Sequence, residues 1–115
     1  MNSKELADLI AQCIINKKGE NIKILDLKEL TPVTDFFVVC TASSEPQVKA
    51  IADYISEETK KLMERPWHSE GYQNLSWVLL DYVNVVVHIF LPEARKFYNL
   101  EGLWADAKIT EVKDK

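Results

Sequence analysis

The chain has 115 residues and a formal net charge of −4, from 14 Lys and Arg against 18 Asp and Glu. That length supports one hydrophobic core and not two. Apolar residues at 47% and charged residues at 28%, with only 3 Gly and 4 Pro, exclude collagen-like and linker-like chains, and the acidic balance argues against autonomous binding to a phosphate backbone while leaving open docking on a basic protein.

Asn2-Ser3-Lys4-Glu5 has the capping-box spacing, and Leu6, Leu9, Ile10, Cys13 and Ile14 recur at the helical period. This predicts a first helix whose C-terminal end meets Lys17 and Lys18 and is closed by Gly19. A strand is expected over 21–27 and, after the connection Glu29-Leu30-Thr31-Pro32, a second over 36–40. The second reads Phe-Phe-Val-Val-Cys, apolar on both parities, and so is expected to be covered on both faces. Ser44-Glu45-Pro46-Gln47 is another capping box, opening a long helix whose buried face is Val48, Ile51, Ala52, Ile55, Thr59 and Leu62. Lys49, Asp53, Glu57, Lys60, Lys61 and Glu64 mark its solvated face, and Pro66 is expected to stop it.

A short strand is expected over 67–70 and a turn-rich loop over 71–75. Two β-rich runs, 76–81 and 85–90, are separated only by Tyr82-Val83-Asn84, which forces an antiparallel hairpin. Pro92 opens a short helical stretch and 100–107 another. Residues 109–115 read as a polar tail that frays, which sets the domain at 1–108. The order α, β, β, α, β, β, β with short helices after it reads as an α/β domain, a single mixed β-sheet flanked by helices in two or three layers.

Few residues are arranged for chemistry. Cys13 and Cys40 have no ligand or disulfide spacing and read as small buried apolar residues in a reducing compartment. His68 and His88 each stand alone in a strand-like run, outside any metal-ligand spacing. Ser43 and Ser44 follow a buried strand and precede a helix, where phosphate can bind, but the loop has no Gly and Glu45 places an anion there, so capping is the expected role. Asp81 lacks a second acid on its own strand face, and only Asp35, at the start of the earlier strand, could pair with it in a two-metal site. No cofactor or metal is expected. The N-terminus lacks a basic segment followed by an apolar block, no apolar run approaches the roughly 20 residues of a membrane span, and the expected location is the cytoplasm.

The hairpin is more informative. With period two, Val78 and Leu80 share one face with Val85, Val87 and Ile89, while Trp77, Leu79 and Asp81 share the other with Val86, His88 and Phe90. The aliphatic face belongs to the core. The face mixing aromatic and polar groups suits either a cover from the protein's own helices or a docking surface, because aromatics anchor interfaces and polar groups fix register. Arg95, Tyr98, Leu100 and Trp104 add cationic and aromatic groups just beyond it.

The run from Trp77 to Tyr82 and on from Val85 to Phe90 resembles the ribosomal silencing factor family, also called Iojap-like. So do Asp35-Phe36-Phe37-Val38-Val39, the stretch from Gln47 to Asp53, Glu70-Gly71 with a Trp six residues on, and the stretch from Arg95 to Ala107. These five stretches stand in order over nearly the whole chain. The resemblance implies a non-enzymatic protein with a nucleotidyltransferase-like fold lacking the catalytic acids. It implies binding to ribosomal protein L-fourteen on the large ribosomal subunit, which blocks joining of the small subunit and represses translation under nutrient limitation. On this reading Trp77, Leu79, Asp81, Tyr82, Asn84, His88 and Arg95 lie near the partner, with Tyr98 and Leu100 in support. The family's hairpin usually reads Asp-Tyr-Gly-Asp where this chain has Asp81-Tyr82-Val83-Asn84, so Val83 is expected to resist a positive φ and Asn84 removes one negative charge. The rival readings are a nucleotide-binding or nucleotidyltransferase-like enzyme, which rests on fold analogy, and a module that pairs with a copy of itself when off the ribosome.

Overall fold

The computed structural model describes residues 1–113; Asp114 and Lys115, the end of the expected tail, lie outside the described residues. Helix α1 (Ser3–Asn16) starts on the expected box: the Asn2 side chain accepts from the Glu5 N–H and the Glu5 carboxylate accepts from the Asn2 N–H. Its end departs from expectation. Lys18, not Gly19, takes the left-handed conformation at φ 65°, with its N–H on the Ile15 carbonyl and the Gly19 N–H on the Ile14 carbonyl. Gly19 is needed for space instead, since a Cβ there would overlap Ile14 Cγ2.

Strand β1 (Glu20–Asp26) pairs antiparallel with β2 (Phe36–Thr41). Helix α2 (Glu45–Lys60) follows, capped by the Ser44 side chain on the Gln47 N–H. Gln47 does not complete the reciprocal box. Its carbonyl oxygen accepts from Ser43, and its amide nitrogen donates to the carbonyls of Lys17 and Lys18, stitching the start of α2 to the open end of α1. Val48, Ile51, Ala52, Ile55 and Thr59 are buried as expected, but α2 ends at Lys60, well before Pro66. A left-handed Met63 closes it, with the Glu64 N–H on the Thr59 carbonyl, and leaves Leu62 exposed.

Strands β3 (His68–Glu70), β4 (Trp77–Asp81) and β5 (Val85–Phe90) follow, then helices α3 (Pro92–Tyr98) and α4 (Leu100–Leu103). Gly71 sits at φ 95° between β3 and β4, where a Cβ would overlap the Trp77 carbonyl. The expected frayed tail is corrected: Lys108–Val112 form β6, an antiparallel edge strand in register with Ile22–Asp26 of β1. Its residues are almost all exposed, so it carries no burial pattern to betray a strand, and Lys108 and Glu111 are the charges that protect such edges.

The mixed sheet runs β3-β4-β5-β2-β1-β6, and the β2–β5 pair, reached through α2, is its parallel pair. Helices α1 and α2 cover one face over Ile22, Ile24, Val38, Cys40, Val78, Leu80, Val87 and Ile89. On the other face α3, α4 and the loop to β6 lay Ala94, Leu100, Trp104 and Ala107 over Leu25, Leu27, Val39 and Phe90. β2 is therefore covered on both sides, as its unbroken apolar run requires. The second cover is narrower than the sheet, and the uncovered remainder is where the candidate site lies.

Candidate functional site

Asp81 faces Val86 across the hairpin, Leu79 faces His88 and Trp77 faces Phe90. β3 extends this face outward, with His68 opposite Asp81 and Glu70 opposite Leu79. The roof of α3 and α4 does not reach this far. Leu79, Asp81 and Val86 are half-buried and all of β3 is exposed.

Beneath the rim lies an aromatic cluster. Trp77 stacks on Phe90 with centroids 5.0 Å apart and meets Tyr98 at 4.5 Å. His88 is 3% exposed and takes the edge of Phe37 at 4.5 Å. Burial lowers its pKa from 6.5 to about 3, so the ring is neutral at physiological pH. The Trp77 Nε1–H donates to His88 Nδ1 at 3.1 Å, which leaves the ring proton on Nε2, an atom with no partner among the described residues. His88 thus holds Trp77 in place from below the surface.

The other expected site residues divide sharply. Tyr82 points to the opposite side: its ring is buried, its hydroxyl is 2.8 Å from Thr59 Oγ1 in α2, and burial pushes its pKa up to about 12. Arg95 is used internally. It forks onto both Glu101 carboxylate oxygens at 3.2 Å and donates to Thr41 Oγ1 and the Asn21 carbonyl, tying α3 and α4 to β1 and β2. Burial alone would raise the Glu101 carboxyl, but the Arg95 hydrogen bonds and charge, with Lys23, outweigh it and hold the pKa down. Leu100 packs under the roof. Asn84 is exposed at the hairpin tip, where its carbonyl accepts from the Asp35 and Phe36 N–H groups. Of the expected site residues, those with exposed or half-buried side chains on this side are therefore Tyr98, Trp77, Leu79 and Asp81, with Asn84 exposed at the tip.

The hairpin turn keeps the geometry that Val83 was expected to resist. Val83 stands at φ 74° and the Asn84 N–H donates to the Tyr82 carbonyl, closing a three-residue γ-turn. The Asp81 Oδ1 accepts from the Val83 N–H at 2.7 Å and holds the turn shut. Asp35 is engaged elsewhere, accepting from the Ser3 hydroxyl at 2.8 Å. Among the described residues no three His, Cys, Asp or Glu side chains gather as a metal site, and no helix is long and apolar enough to cross a membrane. Both thiols are buried, which pushes Cys13 up to about 11 and Cys40 up to about 12, so neither is a nucleophile at neutral pH.

Sequence reasoning missed Trp67 and Val33, each 77% exposed, and Phe97 at 80%. Trp67 was the legible one, a lone Trp following Pro66 in an otherwise polar segment. Its N–H donates to the Asp81 carbonyl at 2.7 Å, which fixes its backbone beside the stripe.

Compared with known proteins, residues 1–115 match the family described as ribosomal silencing factor during starvation, RsfS. The chain belongs to the ribosomal silencing factor family. It is 38% identical over 112 residues to "Ribosomal silencing factor RsfS" of Halalkalibacterium halodurans, covering 97% of this chain and 96% of that one. It is 37% identical over 103 residues to "Protein Iojap, chloroplastic" of Arabidopsis thaliana, covering 90% of this chain and 43% of that longer protein. A crystal structure from Chromobacterium violaceum superposes with a TM-score of 0.89 at 33% identity, covering 99% of this chain and 95% of the other. The RsfS family name denotes a regulatory role on translation rather than a reaction.

Proposed function

We propose that this ribosomal silencing factor docks on ribosomal protein L-fourteen of the large ribosomal subunit and blocks joining of the small subunit by its bulk alone. The observation that carries the reading is the open stripe of Leu79 and Asp81, the part of the sheet that α3 and α4 leave uncovered, continued by the rim of Trp77 and by Tyr98 at the end of α3. Its composition, an aromatic anchor set beside an aliphatic residue and a carboxylate, is that of an interface core with a polar guide. A chain of net charge −4 is steered toward a basic ribosomal protein. Occlusion requires a stable complex and no turnover, so no catalytic group is needed.

The test is co-sedimentation with purified large subunits, followed by light scattering as small subunits are added. Leu79→Asp is the informative variant, because Trp77 is bonded to His88 and its removal would disturb the cluster beneath. Wild type should sediment with large subunits and suppress their joining, and Leu79→Asp should do neither while keeping its melting temperature. Equal sedimentation by the two proteins would remove this face from the interaction. Subunits that join as fast with an excess of wild type present would end the occlusion reading.

A further inference from the structure

At the tip end of the stripe lies a recess of about 320 Å³ lined by Val33, Trp67, Asp81, Val83 and Val86. Three features separate it from an incidental surface hollow. Its apolar walls are unusually bare, with Val33 and Trp67 each 77% exposed and Val83 half-exposed. Isolated exposed apolar residues are ordinary, but three converging on one carboxylate are not. One wall is held at a conformational cost, since Val83 is a β-branched residue at φ 74°. And Asp81 is only half-occupied: Oδ1 accepts from the Val83 N–H, while among the described residues Oδ2 has no hydrogen-bond partner and the carboxylate no ion pair.

From this geometry we infer that the recess receives a single lysine side chain of the basic partner, with its methylene stem against Val33, Val83 and Val86, its ammonium on Asp81 Oδ2, and the Trp67 ring beside the charge. The inference rests on the docking reading above and names the partner group at one point of that site. Each part of the ligand follows from a part of the recess. A small volume near the lower limit of small-molecule sites suits one side chain better than a cofactor. Apolar walls ending in a carboxylate suit a group that is aliphatic along its length and cationic at its tip. An exposed Trp strengthens the attraction for a cation held within about 6 Å of the ring. With one oxygen already committed, the carboxylate offers a point acceptor and not the paired edge that a guanidinium fork uses, which favours Lys over Arg.

The experiment measures large-subunit affinity for wild type, Trp67→Ala, Asp81→Asn and the double variant, together with the Trp67 indole N–H resonance during titration with Nα-acetyl-lysinamide or Nα-acetyl-argininamide. Asp81→Asn keeps an oxygen for the Val83 N–H and removes only the charge, and Trp67 is too exposed for its loss to unfold the chain. Each single variant should bind about tenfold more weakly. The double variant should be little worse than either, because both groups hold the same side chain. The Trp67 resonance should move with the lysine amide, less with the arginine amide, and not at all in Asp81→Asn. If wild type binds large subunits but the variants match it, if their losses multiply, or if the arginine amide shifts Trp67 more, the lysine recess is wrong while the docking face stands. If wild type does not bind large subunits at all, the docking reading fails and takes the recess with it.

Discussion

Acidification should weaken the fold through His88, and the size of the effect follows from its burial. The native ring has a pKa of about 3 against 6.5 for the free group, so between these values the unfolded chain holds a proton that the native chain does not. A base whose pKa is lowered by folding contributes its full stability above pH 6.5 and loses it progressively as the pH falls toward 3. Each unit below 6.5 removes about 1.4 kcal/mol, so going from pH 7 to pH 5 removes about 2 kcal/mol. With an unfolding entropy of about 2.1 cal/mol/K per residue, that lowers the melting temperature by about 8 °C for a chain of this length. His88→Gln removes the titration and keeps an oxygen to accept the Trp77 Nε1–H. Urea unfolding at pH 7, 6 and 5 should show wild type losing about 2 kcal/mol more than the variant across that range. If both proteins lose the same stability, or if the His88 ring signal shifts between pH 7 and 5 in NMR spectra, then the ring is not held neutral and the argument fails.

Three further outcomes are expected. Val83→Gly should relieve the positive φ at a half-exposed position and stabilise the fold by about 1 kcal/mol after the entropy of Gly is deducted, raising the melting temperature by about 4 °C while large-subunit binding weakens. Tyr82→Phe removes the bond to Thr59 on the helix-covered side and should lower stability by about 1 kcal/mol in urea unfolding with large-subunit affinity unchanged; a loss of affinity without a loss of stability would put Tyr82 back in the interface. Arg95→Ala unpins the α3–α4 roof from β1 and β2 and should lower stability by about 2 to 3 kcal/mol, with faster amide exchange in α3 and α4 than in α1.

The elements legible in the sequence were those with a strong period. The apolar spacing of α1 and α2 and the alternation in the hairpin each bury one face, and the unbroken run in β2 buries both, so in each case the pattern encodes burial. What escaped was set by something other than burial. Lys18 and Met63 take left-handed caps because neighbouring packing and carbonyl geometry decide the cap, with Gly19 reserved for the approach to Ile14. β6 reads as a tail in the sequence because an exposed edge strand has no buried parity to display. The candidate site was legible as a face and not as a list. The alternation correctly grouped Trp77, Leu79, Asp81 and His88, but whether a residue on that face is open depends on how far the α3–α4 roof extends, and no local pattern reports that. Arg95 shows the same limit, since nothing local to a cation beyond the hairpin reports that its side chain meets four internal acceptor atoms.

The two margins of the sheet constrain how this protein can be recognised at all. On one side β3 is only three residues long, and on the other β6 carries Lys108 and Glu111. Neither margin invites a neighbouring chain to zip on through main-chain amides. On the docking reading proposed above, a partner that reads the flat of the ribbon through side chains has a grip that can be tuned one substitution at a time and released without any strand having to be peeled away.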